Sequence, residues 1–219
     1  MLSITKAVVT SGTGDGRPYR SVRRAEAAGD TRARILDAAM RLFVCKGYGK
    51  VTVNDIAREA AVAVPTVYAS TGGKTAILAT IIDEAVRDPV VDDTLAAVRK
   101  ARGPREVINL IANGTRVDNQ RYHDIIQVNR TASAVDENAT EIQERSDRIY
   151  RQALAESLPR LREMDALQDH FTDQRATDLL WFYFGHQSWH TLVAELGWTW
   201  DEAEEWLRER AATGLLKPG

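Results

Sequence analysis

Residues Thr31–Leu78 read TRARILDAAMRLFVCKGYGKVTVNDIAREAAVAVPTVYASTGGKTAIL, and the spacing of apolar residues in this stretch decides the fold. Ile35, Leu36, Ala39, Leu42 and Phe43 recur at i, i+3 and i+4, the stripe of an amphipathic helix, and Gly47 marks its end. Thr52, with Asp55 three residues on, predicts a capping box: the Thr hydroxyl accepts from an N–H of the first turn, and the carboxylate reaches back to the cap's own N–H. Ile56, Ala57 and Ala60 then share the inner face of a second helix. Only Ala61, Val62 and Ala63 separate it from a third, very short helix, which tolerates Pro65 because first-turn N–H groups have no helical acceptor. Two helices joined by so tight a turn form a helix-turn-helix, whose second helix enters the major groove of DNA.

The order Ile35-Leu36, Ala38-Ala39, Leu42-Phe43, Gly47, then Thr52 with Ile56-Ala57, then Val62 with Pro65-Thr66-Val67-Tyr68, then Lys74 with Leu78, resembles the DNA-binding domain of TetR-family transcriptional regulators. Three positions depart from that pattern. Ala61 stands where the family has Gly, Ala63 replaces a Ser cap, and Thr71 replaces an aromatic ahead of the fourth helix. The resemblance implies a recognition helix from about Val64 to Ser70. In it Val64, Pro65, Thr66 and Ser70 face base edges, joined by Asn54 from the preceding helix, while Thr52, Tyr68 and Lys74 meet phosphates. The chemistry agrees, since a Tyr hydroxyl and a Lys ammonium near a helix N-terminus suit phosphate oxygens. The base-facing set carries no Arg for guanine. Asn54 is its adenine reader, and its methyl groups suit thymine, so discrimination leans on methyl contacts and DNA shape.

Charge supports the same division. Residues 1–75 hold 12 Lys and Arg against 6 Asp and Glu, whereas the remainder holds 17 against 25. A basic end on an acidic body presents one face to phosphates. Residues 1–30, rich in Ser, Thr, Gly and Arg without a sustained period, read as a mobile basic tail whose Arg17, Arg20, Arg23 and Arg24 have the charge to follow DNA. The single cysteine, Cys45, excludes an intrachain disulfide and reads as a small packing residue. With no apolar run of membrane-spanning length, a cytoplasmic location and no membrane partner are expected.

Beyond the head, helical patterns fall at about 73–87, 92–101, 105–118, 121–134 and 137–158, broken at Gly103-Pro104, and no period-two run appears; the fold class is all-α. The division is thus a tail at 1–30, a helix-turn-helix domain at 31–78 and a helical ligand-binding and dimerisation domain at 79–219. Two further helices, at about 173–195 and 200–216, concentrate eight aromatic residues between Trp181 and Trp206. Aromatics all round one helix exceed what one protomer face buries and point to a subunit interface, with Trp181, Trp189, Leu192 and Trp206 as its candidates. The run Asp178-Leu179-Leu180-Trp181 and the later Gly197-Trp198, Glu202, Glu205 and Trp206-Leu207 resemble the closing helix pair of TetR-type regulators, which implies a four-helix homodimer interface.

Other chemistries fit poorly. Gly73-Lys74-Thr75 ends like a phosphate-binding loop, but Tyr68 occupies the position where that loop requires Gly. His186 and His190 have metal-ligand spacing without a third ligand nearby, and no nucleophile elbow is present, so no metal, cofactor or catalysis is expected. For an effector, polar residues that interrupt apolar stripes in the middle helices are the candidates: Asn113, Tyr122, Ile126, Asn129, Ser146 and Tyr150. An Ile- and Tyr-lined cavity with a few amides and hydroxyls suits a mostly apolar, neutral or weakly polar molecule. The resemblance implies a homodimeric regulator, a repressor released from palindromic double-stranded DNA by a small molecule. The alternative is a helical small-molecule-binding dimer whose reading head is degenerate.

Overall fold

A computed structural model describes residues 17–218, with side chains from residue 25 onward. Helix α1 spans Arg17–Lys46, much longer than the stripe that begins at Ile35. Residues 17–30, expected as tail, are helical: Ala25, Ala27 and Ala28 favour the helix enough to carry it through Gly29, which costs about 1 kcal/mol against Ala. Residues 1–16, and the side chains of Arg17, Arg20, Arg23 and Arg24, lie outside the described part. Gly47 takes φ +81°, closing α1, and a single 3₁₀ turn at Tyr48–Lys50 buries Tyr48.

Helix α2 (Val53–Glu59) begins with the expected capping box between Thr52 and Asp55. Its C-terminus is a Schellman turn, in which the Val62 N–H donates to the Ala57 carbonyl at 2.9 Å and the Ala61 N–H to the Arg58 carbonyl at 3.2 Å. That geometry requires a left-handed residue, and Ala61 supplies it at φ +53°. Helix α3 (Val64–Thr71) starts from Ala63 with no side-chain cap and stops at Gly72, also left-handed. Helix α4 (Lys74–Val86) follows at once and buries Ile77, Leu78, Ile81 and Ile82.

The rest comprises α5 (Val90–Lys100), α6 (Pro104–Arg121), α7 (His123–Ser133), α8 (Glu137–Ala155), α9 (Leu158–Glu163), α10 (Asp173–Phe184), α11 (His186–His190) and α12 (Trp200–Leu215). The helix anticipated at 173–195 is broken. At Gly185 the backbone turns extended, and a Cβ there would meet the Trp181 carbonyl oxygen at 2.4 Å. After α11 one π-turn, Thr191–Glu195, leads to left-handed Gly197 and the capping box of Thr199 and Glu202 that opens α12.

Among the described residues two apolar cores form. One gathers the stripe of α1 with Ile56, Val67 and the inner face of α4, and it continues into Val128, Ala132, Ala139 and Ile142 of α7 and α8. The other holds α5, α6 and α8 to α12 around the fully buried Trp189, Leu161, Leu180 and Leu207. The first core therefore crosses the boundary that the sequence suggested near residue 78.

An alanine in the left-handed region carries about 1–2 kcal/mol of steric cost, partly offset in a comparison with Gly by the greater freedom of an unfolded Gly. Ala61→Gly is expected to stabilise the protein by about 0.5–1 kcal/mol, a rise of roughly 1–4 °C in melting temperature at this chain length. A lower melting temperature would show that the turn is not strained.

Candidate nucleic-acid interface and ligand cavity

On the reading head, Thr52, Asn54, Pro65, Thr66 and Tyr68 are exposed, and Val64, Ser70 and Lys74 are partly covered. Tyr68 keeps 56 % of its surface open, whereas Val67 beside it is fully buried in the head's core. Thr52 is engaged within its cap: its hydroxyl donates to the Asp55 carboxylate at 2.6 Å and accepts from the Asp55 N–H at 3.2 Å. The hydroxyl of Thr52, then its backbone N–H, then Arg58 hold the Asp55 carboxyl down at about 2. The carbonyl of Ser70 accepts from Arg32 at 2.8 Å, which ties the end of α3 to α1.

Lys74 has a structural tie that sequence reasoning missed. Its ammonium donates to the Tyr48 carbonyl at 3.1 Å and lies 4.1 Å from the centre of the Tyr48 ring. Beyond that ring the Tyr48 hydroxyl donates to Asp136 at 2.7 Å, and the Thr75 hydroxyl donates to the same carboxylate oxygen at 3.1 Å. Asp136 in turn accepts from the Asn138 N–H at 3.1 Å and so caps α8. Burial, more than its partners, pushes the Tyr48 phenol up to about 12, while the Tyr48 hydrogen bond leads the effects that lower the Asp136 carboxyl. The cap at Asp136 is visible locally in the sequence. Its partner 88 residues earlier is not.

A cavity of about 140 Å³ lies among α4, α5, α6, α7 and α8. Five of the six anticipated residues line it: Tyr122, Ile126, Asn129, Ser146 and Tyr150. Asn113 does not. It sits on the outer face of α6 and donates to Glu204 of α12 at 3.4 Å, because the cavity-facing stripe of α6 is Ile111, Gly114, Thr115 and Asp118. Ile82, Ala85 and Val86 of α4 complete one wall, and Gln143 and His186 were also missed. The His186 Nδ1–H donates to Asn119 Oδ1 at 2.8 Å, because the Asn119 amide nitrogen is already donating to the Thr115 carbonyl and the Tyr150 hydroxyl. Burial holds His186 down at about 4, so its ring is neutral. His190 instead accepts from Arg130 at 2.8 Å, and the two imidazoles do not share a site. Among the described residues no three His, Cys, Asp or Glu side chains come together as a metal site.

The proposed interface residues divide. Trp189 is fully buried and Leu192 nearly so, both inside the protomer's own second core, which corrects their assignment to a subunit interface. The break at Gly185 rotates α11 relative to α10 and turns Trp189 inward. Trp181 is half-buried against Tyr150 at 5.8 Å, with the Arg151 guanidinium 4.6 Å over its ring. Trp206 keeps 44 % of its surface open, Leu196 60 % and Phe182 67 %.

The chain thus joins a helix-turn-helix head to an all-α body that holds a cavity. Residues 35–81 match the family model of bacterial regulatory proteins of the tetR family, and this segment is similar to that family's N-terminal domain. The HTH-type transcriptional regulator BetI of Agrobacterium fabrum is 37 % identical over 82 residues, which are 37 % of this chain and 39 % of BetI, so the match spans well under half of that relative. Among solved structures, FadR of Bacillus subtilis in complex with stearoyl-CoA superposes with TM-score 0.69 at 15 % identity over 83 % of this chain and 98 % of FadR. The SmeT–triclosan complex gives 0.66 at 18 % identity over 87 % of this chain and 93 % of SmeT. At these identities the two structures establish the fold. Among the described residues, no helix is long and apolar enough to cross a membrane.

Tyr48→Phe leaves the packing of the ring intact and removes a hydrogen bond to a buried-edge carboxylate, so a loss of about 1.5–3 kcal/mol is expected. The contribution also has a pH signature. The Asp136 carboxyl is lowered in the folded state, so its stabilisation is present above the ordinary carboxylate range and is lost on acidification. In Tyr48→Phe the acid limb of the stability–pH profile should be shallower than in the wild type, measured by chemical denaturation. Superimposable profiles would remove the linkage.

Proposed function

We propose that the protein is a repressor that binds a palindromic operator as a homodimer and is released by a small-molecule effector in the cavity. The observation that carries this is α4. Its first residue, Lys74, lies on the reading head, and its last turns, through Ile82, Ala85 and Val86, form a wall of the cavity. Whatever fills the cavity acts on the helix that sets where the head sits. Successive major grooves lie about 34–36 Å apart, so a shift of a few ångströms between two heads weakens binding of the dimer. The effector need favour the released arrangement by only about 1–3 kcal/mol. The ligands bound in FadR and SmeT differ widely in chemistry, which is consistent with a shared fold holding unrelated effectors.

Thr52, Asn54, Val64, Pro65, Thr66, Tyr68, Ser70 and Lys74 are proposed as the DNA face. Selection of bound fragments from random duplexes would supply the operator. On it, Tyr68→Phe and Lys74→Ala should weaken binding across sequences, with Lys74→Ala lowering the slope of log affinity against log salt by about 1. Unchanged affinity in both variants would remove the phosphate assignment. The second reading, a ligand-binding dimer with a degenerate head, draws on the strained Ala61, the missing cap at Ala63 and the uncharged base-facing set. It predicts no selected duplex at all.

For the dimer, the exposed aromatics Phe182 and Trp206 are the proposed anchors. Phe182→Glu and Trp206→Glu should each give folded monomers in sedimentation, since an unpaired charge in an apolar contact costs several kcal/mol. Trp189→Glu should instead unfold the protomer. Intact dimers in both surface variants would place the interface on other helices.

A further inference from the structure

The polar lining of the cavity is one-sided. Its hydroxyls have their donors already engaged: Thr115 with the Ile111 carbonyl at 2.8 Å, Ser146 with the Gln143 carbonyl at 2.9 Å and Tyr150 with the Phe184 carbonyl at 2.9 Å. One N–H of Asn129 Nδ2 donates to Ser146 at 3.3 Å and one of Gln143 Nε2 to Asp147 at 2.8 Å. The amide oxygens, Asn129 Oδ1 and Gln143 Oε1, are buried without a donor. His186 spends its one N–H on Asn119 and keeps Nε2 as an acceptor. Asp118 lines the same cavity and, among the described residues, its carboxylate has neither a hydrogen bond nor an ion pair. Arg121, on the next turn, is engaged with Asp88 at 2.6 Å. An unpaired carboxylate thus lines an otherwise largely apolar space.

A carboxylate ligand would set like charge against Asp118, and an alcohol or hydrocarbon would leave its charge unpaired. We infer that the cavity takes a small hydrophobic amine in its protonated form, the ammonium against Asp118 and the apolar body among Ile82, Ile111 and Ile126. This rests on the reading of the cavity as the effector site and names the effector's class. A volume of about 140 Å³ suits a single ring or a short branched chain, since an apolar cavity of about 150 Å³ holds benzene. The rings of Tyr122 and Tyr150 in the same wall favour a cation.

The charges around Asp118 give the inference a pH signature. Burial first, and then the neighbouring Asp88, push the Asp118 carboxyl up to about 7, against a smaller opposing effect of Arg121. Asp88 is held at about 2, His186 at about 4, and Tyr122, Tyr150 and Arg121 are all raised above their ordinary values. Between roughly pH 5.5 and 8.5, where a simple alkylamine stays charged, Asp118 is the one group of this set that titrates.

The test measures binding of phenethylamine, phenethyl alcohol and hydrocinnamate to the full chain by calorimetry across that range. At pH 8 the amine should bind about 30-fold or more tighter than the alcohol, as expected for a buried charge pair, and the carboxylate should bind worst. The amine's advantage should fall by nearly tenfold per unit below the Asp118 titration and vanish in Asp118→Asn, which should keep the alcohol's affinity and thereby show an intact cavity. Equal binding of amine and alcohol, or an amine affinity unchanged in Asp118→Asn, overturns the amine assignment while leaving the cavity as a binding site. Binding of none of the three overturns the assignment and the cavity reading together.

Discussion

Tyr48, Thr75 and Asp136 meet where the reading head touches the body, and the shared Asp136 oxygen ties three elements that are remote in sequence. The 3₁₀ turn after α1 supplies the phenol, the first turn of α4 supplies the hydroxyl, and the N-cap of α8 supplies the carboxylate. A charge-assisted hydrogen bond at such an edge is worth more than a neutral one, and removing one partner leaves a partly desolvated carboxylate. The apolar half of the same joint is the continuation of the head's core into Val128, Ala132, Ala139 and Ile142. The head is thus held to α7 and α8 both by packing and by a directional polar contact. The head is thereby packed against α4, α7 and α8, which with α5 and α6 wall the cavity.

This arrangement explains why local sequence signals located the head so well and the joint so poorly. Helix periodicity, the Thr52–Asp55 box and the turn to α3 depend on residues a few positions apart, and each left a readable pattern. Ala61 is the clearest case, because a turn that demands a left-handed residue can be recognised from its neighbours whether or not Gly occupies it. Contacts such as Tyr48–Asp136 involve single polar residues far apart in the chain, and neither residue alone announces its partner. The body's cavity lies between these extremes. Tyr122, Asn129, Ser146 and Tyr150 interrupt apolar stripes and reach it, whereas Asn113 belongs to the face of α6 that packs toward α12. Asp118 lies three, four and seven positions from Thr115, Gly114 and Ile111, so a carboxylate on an apolar stripe was open to notice.

The aromatic cluster near the C-terminus shows how one backbone feature redirects side chains. Periodicity continued through Gly185 puts Trp181, Trp189 and Leu192 on a common outward helix. The real chain leaves the helix at Gly185, where no Cβ fits beside the Trp181 carbonyl, and restarts with a different phase. Trp189 then falls into the core, 5.8 Å from Trp200, and the apolar surface that remains open is at Phe182, Leu196 and Trp206. The excess of aromatics over what one protomer buries persists. Its members are different.

The cavity and the joint are linked by energetics as well as by α4. A well-packed interior leaves few buried polar atoms without partners, and each one costs about 1–3 kcal/mol. Here two amide oxygens are buried without a donor, and the partly buried Asp118, whose carboxylate has no hydrogen bond among the described residues, lines the cavity. The carboxylate answers by holding its proton: with Asp118 raised to about 7, its neutral form favours folding at low pH, and that stabilisation is lost as pH rises through the raised value. A ligand that pairs with that carboxylate gains interaction energy of the same order as the 1–3 kcal/mol that couples two sites in a typical switch. That gain is delivered against the last turns of α4, one rigid helix away from Lys74 and the Tyr48–Asp136 joint. In the proposed switch, a small molecule held against Asp118 acts on the head through α4, whose last turns wall the same cavity.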